Sequence, residues 1–177
     1  RGGGRRILWW NNTVIRDQEG RPVGATSIGE DVTERRSAER ALQALAAEQA
    51  ALRRVATVVA AEPTEELLFE TVATEVGRLF GAQSANLIRN DCETLLVIGG
   101  WGEAGECYIA PGTVFAREGD SATHGVMRTQ RPARVDSLAE IGDAPTRDVW
   151  LERGFRSAIA APVIVDGRLW GAISVAK

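Results

Sequence analysis

Histidine is almost missing from this chain: His124 is the only one in 177 residues. A metal centre built on two histidines is thereby excluded. A Ser/His/Asp triad would have to use His124 with partners that no spacing nominates. Cysteine is nearly as scarce. Cys92 and Cys107 form no CxxC pair and have no histidine beside them, so no metal site is expected. Reduced thiols in a cytoplasmic protein are expected rather than a structural disulfide. No apolar run reaches the roughly 18 residues of a membrane span, and no charged n-region followed by an apolar h-region opens the chain, so nothing marks export. The glycine-rich stretch Gly99-Gly100-Trp101-Gly102 lacks the Lys-Ser/Thr of a phosphate loop. A net charge of −3 gives no general attraction to nucleic acid or to an anionic membrane. No catalytic residues are nominated. What remains is the composition of an ordinary globular protein, 44% hydrophobic and 25% charged, long enough for one or two domains.

One absence is constructive. Neither Gly nor Pro occurs from Val32 to Glu62, and Ala, Leu, Glu, Gln and Arg dominate there, all good helix formers. Ala38, Leu42, Leu45, Gln49, Leu52, Ala56 and Val59 follow the a/d spacing of a heptad, and six of the seven are apolar. That spacing predicts the seam of a left-handed parallel coiled coil, with Leu42, Leu45, Gln49, Leu52, Ala56 and Val59 at a homodimer interface. Gln49 would cost stability there but could fix register. Thr33 is the expected N-cap, with Glu34 in the dipole-favoured first turn. Pro63 is expected to end or kink the helix.

Upstream, Ile7, Leu8, Trp9, Trp10, Val14 and Ile15 make a β-branched and aromatic run. Asp17-Gln18-Glu19-Gly20 signals a turn, and Val23 to Gly29 predicts a return strand. The order of parts, a Trp-bearing strand, an Asp-x-x-Gly turn, Pro22-Val23-Gly24, then Asp31-Val32-Thr33-Glu34-Arg35, resembles the last two strands of a PAS domain and their exit into a signalling helix. The resemblance covers about residues 5–40. It implies that Asp31 and Thr33 tie the last strand to the helix and couple signals between them, and that the ligand-enclosing half of the PAS domain lies upstream. The start on Arg1 and the stop at Lys177 in a strand-like pattern predict an internal piece of a longer protein.

Downstream, Thr64 predicts a helix cap, Leu67 to Phe80 an amphipathic helix, and Gly81 its C′ residue. Ser84–Asn90 and Thr94–Gly100 read as strands, Tyr108 to Ala116 as a short strand and turn about Pro111-Gly112, and Ser121 to Gln130 as a short helix. Ala133–Asp136 reads as a short strand, and Thr146 is expected to cap a helix through Arg153, closed by Gly154. Arg156–Val165 and Arg168–Ala176 are the longest predicted strands, joined by Asp166-Gly167, a strong hairpin signal. Pro162 must sit where no ladder bond is needed, and Gly171 suggests a close backbone approach. The run from Gly154 through Ser157, Pro162 and Gly167 to Gly171, with Leu67–Phe80 and Thr129–Asp136, resembles a bacterial GAF domain over about residues 61–177.

The expected fold class is therefore α+β: a PAS C-terminal hairpin at 1–33, a coiled-coil helix at 34–62, and a GAF domain at 63–177 whose central antiparallel sheet is flanked by helices, the final helix missing. The resemblance implies a ligand pocket between the sheet and the loops of one face. Trp101, Tyr108, Phe115, His124, Trp150 and Phe155 are its candidate liners, with Arg156 and Ser157 able to fix polar groups. Large aromatics are more often plain core. The resemblance offers His124 as an axial haem ligand and Cys92 or Cys107 as a bilin attachment point, but neither Cys sits beside a His, which departs from the chromophore-binding branch, and no cofactor is required by this sequence. Together the resemblances imply a dimeric regulatory segment of a bacterial sensor histidine kinase. The alternatives are the same arm of a diguanylate cyclase, phosphodiesterase or serine phosphatase, and a stand-alone small-ligand sensor.

Overall fold

The computed structural model describes residues 5–91, 93–103, 105, 109–142 and 147–177, the side chain of Val149 excepted. The chain divides into two compact units, residues 1–49 and 50–177.

The first unit is a hairpin and the start of a helix. Strands β1 (Leu8–Arg16) and β2 (Pro22–Asp31) pair antiparallel, with Leu8 opposite Asp31. The turn is organised by Asp17, whose carboxylate accepts from the backbone N–H of Glu19 and Arg21, and by Gly20 at φ +80°, the left-handed region that glycine tolerates. Every residue of both strands is exposed. Helix α1 (Thr33–Ala60) follows at once. Thr33 is not its N-cap. It is the first helical residue, and the first helical bond runs from Arg36 N–H to the Val32 carbonyl. The capping carboxylate is that of Asp31, which accepts from Thr33 N–H at 3.0 Å and from its hydroxyl at 2.6 Å. Asp31 reaches those donors because it sits in the last strand position, two residues back.

The second unit takes in the last turns of α1, from Ala50 on, and carries the core. Helix α2 (Glu65–Phe80) is capped by Thr64, whose hydroxyl oxygen accepts from Leu67 N–H, and closed by Gly81 in the left-handed region. Among the described residues, β3 (Ser84–Asp91), β4 (Thr94–Gly102), β5 (Val114–Ala116), β6 (Ala133–Val135), β7 (Ala158–Val165) and β8 (Arg168–Ala176) form one antiparallel sheet in the order β5-β4-β3-β8-β7-β6. Helices α3 (Ala122–Thr129) and α4 (Arg147–Glu152) and a 3₁₀ turn at Leu138–Glu140 complete it. That turn has no counterpart in the sequence expectations. The Asp166-Gly167 turn between β7 and β8 has both residues at positive φ, as a two-residue hairpin requires.

Side chains alternate across the sheet, so register sorts them into two faces. Ile88 pairs with Val97 and with Ala172, Asn86 with Ser174, and Ser174 with Ala160. This face meets α3 and the loops, and it holds the core cluster of Leu95, Val97, Val126, Leu138 and Phe155. The opposite face receives α2. Gly77 lets the Trp101 ring lie against the helix, and Gly99 lets β4 approach the backbone of Phe69, whose carbonyl oxygen a Cβ would meet at 2.6 Å. Two bulges adjust the faces. Ile98 falls out of register between the partners of Leu87 and Ile88, and Trp170 between those of Val163 and Ile164. The second turns Trp170 onto Phe69 of α2, ring centroids 5.9 Å apart. Pro162 lies in β7 beyond the last β6 pair, where its missing N–H removes no ladder bond. Gly171 pairs with Arg89, and a Cβ there would collide with the Ile88 carbonyl.

Helix α1 is tied to α2 within this unit. The Arg54 guanidinium donates to both carboxylate oxygens of Glu75, at 2.7 and 2.5 Å. Glu75 is buried, its side chain 7% exposed, and the charge-assisted bonds from Arg54 hold its pKa below the ordinary glutamate range against the opposing effect of burial.

Candidate functional site

The sheet face that meets α3 encloses a cavity of about 230 Å³. Its floor is Ile88, Leu95 and Ser174 from the sheet. One wall is strand β5, Val114 to Ala116. Another is the N-terminal turn of α3 with Thr123 and His124. Leu138 and Ile141, Ile109, and Trp150 of α4 close the rest, while Glu118, Ser121 and Arg147 stand among the lining. The wall is mostly carbon.

Local chemistry explains how the polar groups are placed. Ser121 is the N-cap of α3: its hydroxyl oxygen accepts from His124 N–H, and its own N–H donates back to His124 Nδ1, a reciprocal capping box. The Ser121 hydroxyl and Nδ1 are 2.8 Å apart, and Nε2 lies 3.1 Å from the Ala116 carbonyl. Because a carbonyl only accepts, Nε2 carries the proton and Nδ1 receives the hydroxyl's. Both ring nitrogens are engaged, so a metal could reach His124 only by displacing one of these bonds. Arg147 is likewise engaged: Nη1 donates to the carbonyls of Ile141 and Gly142 at 3.0 and 2.9 Å, and Nε to the Asp148 carboxylate at 2.9 Å. Among the described residues, no cluster of His, Cys, Asp and Glu could hold a metal ion.

The candidate liners named from sequence part company here. Phe115, His124 and Trp150 lie in the cavity wall. Phe155 lies behind it, 1% exposed and stacked obliquely on Trp150 at 5.9 Å. Trp101 is on the opposite sheet face, against α2. Arg156 and Ser157 are outside the cavity: their backbone N–H groups donate to the Lys177 carbonyl, closing the start of β7 onto the end of β8. Tyr108, like Cys92, Cys107 and Thr146, lies outside the described residues. The aliphatic floor and Ser174 were not singled out in the sequence. Ser174 had a signal: alternation along the last strand puts its hydroxyl on the same buried face as Ala172 and Ala176.

At the other candidate site, Asp31 and Thr33 are joined as described, and the Thr33 hydroxyl also accepts from Ile7 N–H at 2.8 Å. Arg6 pairs with the Asp31 carboxylate at 3.2 Å. Bonds from Thr33, then the Arg6 charge, lower the Asp31 pKa. The start of β1, the end of β2 and the first turn of α1 are thus one hydrogen-bonded knot.

A six-stranded antiparallel sheet, one helix packed on its back and a ligand-sized cavity between its front and a set of short helices and loops, defines a class of small regulatory domains. The chain belongs to the GAF domain family, whose model matches residues 64–177; GAF domains are regulatory sensor domains of signalling proteins. No curated protein matches the chain. Among solved structures it is similar to the A. aeolicus nlh2 GAF domain in an inactive state, at 16% identity over 76% of this chain and 81% of that one, TM-score 0.60. It is also similar to the GAF domain of a phosphoenolpyruvate-protein phosphotransferase from Coxiella burnetii, at 16% identity over 76% and 79%, TM-score 0.59. A third likeness is to the phycocyanobilin-bound GAF domain of a cyanobacterial phytochrome, at 16% identity over 72% and 78%, TM-score 0.56. At these identities the likeness is one of fold. No helix among the described residues is long and apolar enough to cross a membrane.

Proposed function

We propose that this chain is a PAS–helix–GAF regulatory segment of a bacterial cytoplasmic signalling protein, a sensor histidine kinase. It works as a parallel homodimer through α1, with the GAF cavity taking a small ligand. The observation that carries the reading is the division of labour around α1. Leu42 and Leu52 are 68% and 64% exposed, and Leu45 and Val59 are exposed with them. Arg54, which holds Glu75, lies about 200° around the helix axis from Leu52 at 100° per residue. Within the second unit, the last turns of α1 therefore hold α2 on one face and leave Leu52 open on the other, which suits a helix that both carries a sensor domain and pairs with a second copy. The Asp31–Thr33–Ile7 knot supports the coupling role of Asp31 and Thr33, because strand and helix cannot shift separately without breaking it. A change in register or rotation of the paired helices would be the transmitted signal.

The test is Leu45→Asp in the purified chain, read by light scattering after gel filtration. A charge in the seam is expected to convert dimer to monomer. A variant that remains dimeric with unchanged far-ultraviolet dichroism overturns the pairing. The kinase assignment is tested on the full-length protein by ATP-dependent formation of an acid-labile phosphohistidine, which a cyclase or phosphatase would not form.

A further inference from the structure

Resting on the reading of the GAF cavity as a ligand site, we infer that its ligand is a neutral, mainly aromatic molecule of about the size of indole, carrying at most one N–H or O–H group. Size comes first. An apolar cavity of about 150 Å³ stays dry and takes benzene, with six non-hydrogen atoms. In proportion, 230 Å³ accommodates about nine. Chemistry comes second. The floor and walls contributed by Ile88, Leu95, Leu138, Ile141, Phe115 and Trp150 offer carbon to the occupant, and a buried charge without a partner is costly.

The groups that could pair an anion are committed in large part to the protein itself. His124 is hydrogen-bonded at both nitrogens, and Arg147 donates to two carbonyls and to Asp148. Glu118 is an exposed residue of the lining, and its negative charge disfavours anions. On the buried walls what remains on offer is neutral: the hydroxyls of Thr123 and Ser174, on buried residues that line the cavity. One hydroxyl matches one indole N–H or phenol O–H, and it cannot compensate a phosphate or a carboxylate. The same wall thus disfavours a cyclic nucleotide and a zwitterionic amino acid.

The experiment uses the full chain with four probes: indole, toluene, L-phenylalanine and cyclic GMP. Thermal shift gives binding, and methyl resonances of Ile88, Leu95 and Ile141 give the place. Indole and toluene are expected to raise Tm in a saturable way and to move those methyls, while the two charged probes do neither. Two variants localise the effect. Ile141→Phe fills the cavity from inside, and Val114→Phe obstructs it from an exposed strand position whose substitution spares the core; each is expected to weaken indole binding on the order of tenfold or more. Binding of a charged probe in preference to indole overturns the ligand class and leaves the cavity as a ligand site. Indole binding that neither variant weakens overturns the proposed location. Failure of all four probes to move Tm or the methyls overturns both the inference and the cavity reading on which it rests.

Discussion

Glu75 is a charged side chain almost wholly buried, and its partner Arg54 is half exposed. The pair is asymmetric in consequence. Removing Arg54 leaves a buried carboxylate without its bidentate partner, whereas replacing both removes charge and need together. Arg54→Ala is therefore expected to lower Tm more than the double variant Arg54→Ala/Glu75→Gln, a comparison that a double-mutant cycle makes directly. The same pair sets a pH dependence. The folded pKa of Glu75 is depressed, so its contribution is present above the unfolded value of about 4.3 and is lost as pH falls through the lower folded value. Glu75→Gln should flatten that acid limb of the stability curve; an unchanged limb would assign it to other carboxylates. Gly171 gives a steric prediction at the same scale. A methyl there would strike the Ile88 carbonyl, backbone that cannot rotate away, so Gly171→Ala is expected to cost about 1–3 kcal/mol. Gly24 has nothing within 4 Å of a built Cβ, and Gly24→Ala is the near-neutral control in chemical denaturation.

At the scale of elements, the ends of helices carry their own instructions. Ser121 caps α3 and orders His124 at once, so Ser121→Ala is expected to cost about 1 kcal/mol and to loosen the His124 ring on the cavity wall. Denaturation midpoints and the exchange of the first-turn amides check both effects. Local chemistry of this kind is what the sequence displayed most clearly. The Thr64 and Gly81 caps, the Asp166-Gly167 turn and the long uninterrupted helix all follow from residues close together in the chain, and the structure has each of them. The close approach at Gly171 was legible too, because a glycine inside a strand has few other uses. The cap of α1 was misread by two residues: Asp31 and Thr33 both have the chemistry, and only the position of Ile7 across the hairpin directs the Thr33 hydroxyl away from the helix. The cavity was the least legible. Its aromatic members have a chemical signature, but Ile88, Leu95 and Leu138 look like any core aliphatic, and Trp101 reached the other face through strand register and a bulge at Ile98 that no local pattern marks. Pairings between residues far apart in sequence decide which face a side chain joins, and alternation leaves the choice of face open.

For the whole molecule, the buried apolar residues are distributed very unevenly between the two units. The core cluster runs from Ile88 to Ala176, while β1 and β2 bury none of their residues, and among the described residues of the first unit Val32, at the strand–helix junction, is the one buried hydrophobic. A two-stranded hairpin without a covered face is marginal in water, so it contributes little to the cooperative stability of the rest. Deleting residues 1–32 is therefore expected to leave the main thermal transition in place, and amide exchange in the intact chain should be fast throughout β1 and β2 and slowest in β3, β8 and β7. Calorimetry on the shortened chain and native-state exchange on the full one measure the two expectations separately. Loss of the main transition on deletion would mean that the hairpin supports the core. Slow exchange in β1 and β2 would mean that a second copy covers their exposed faces in solution, and its disappearance on dilution would identify that cover as intermolecular.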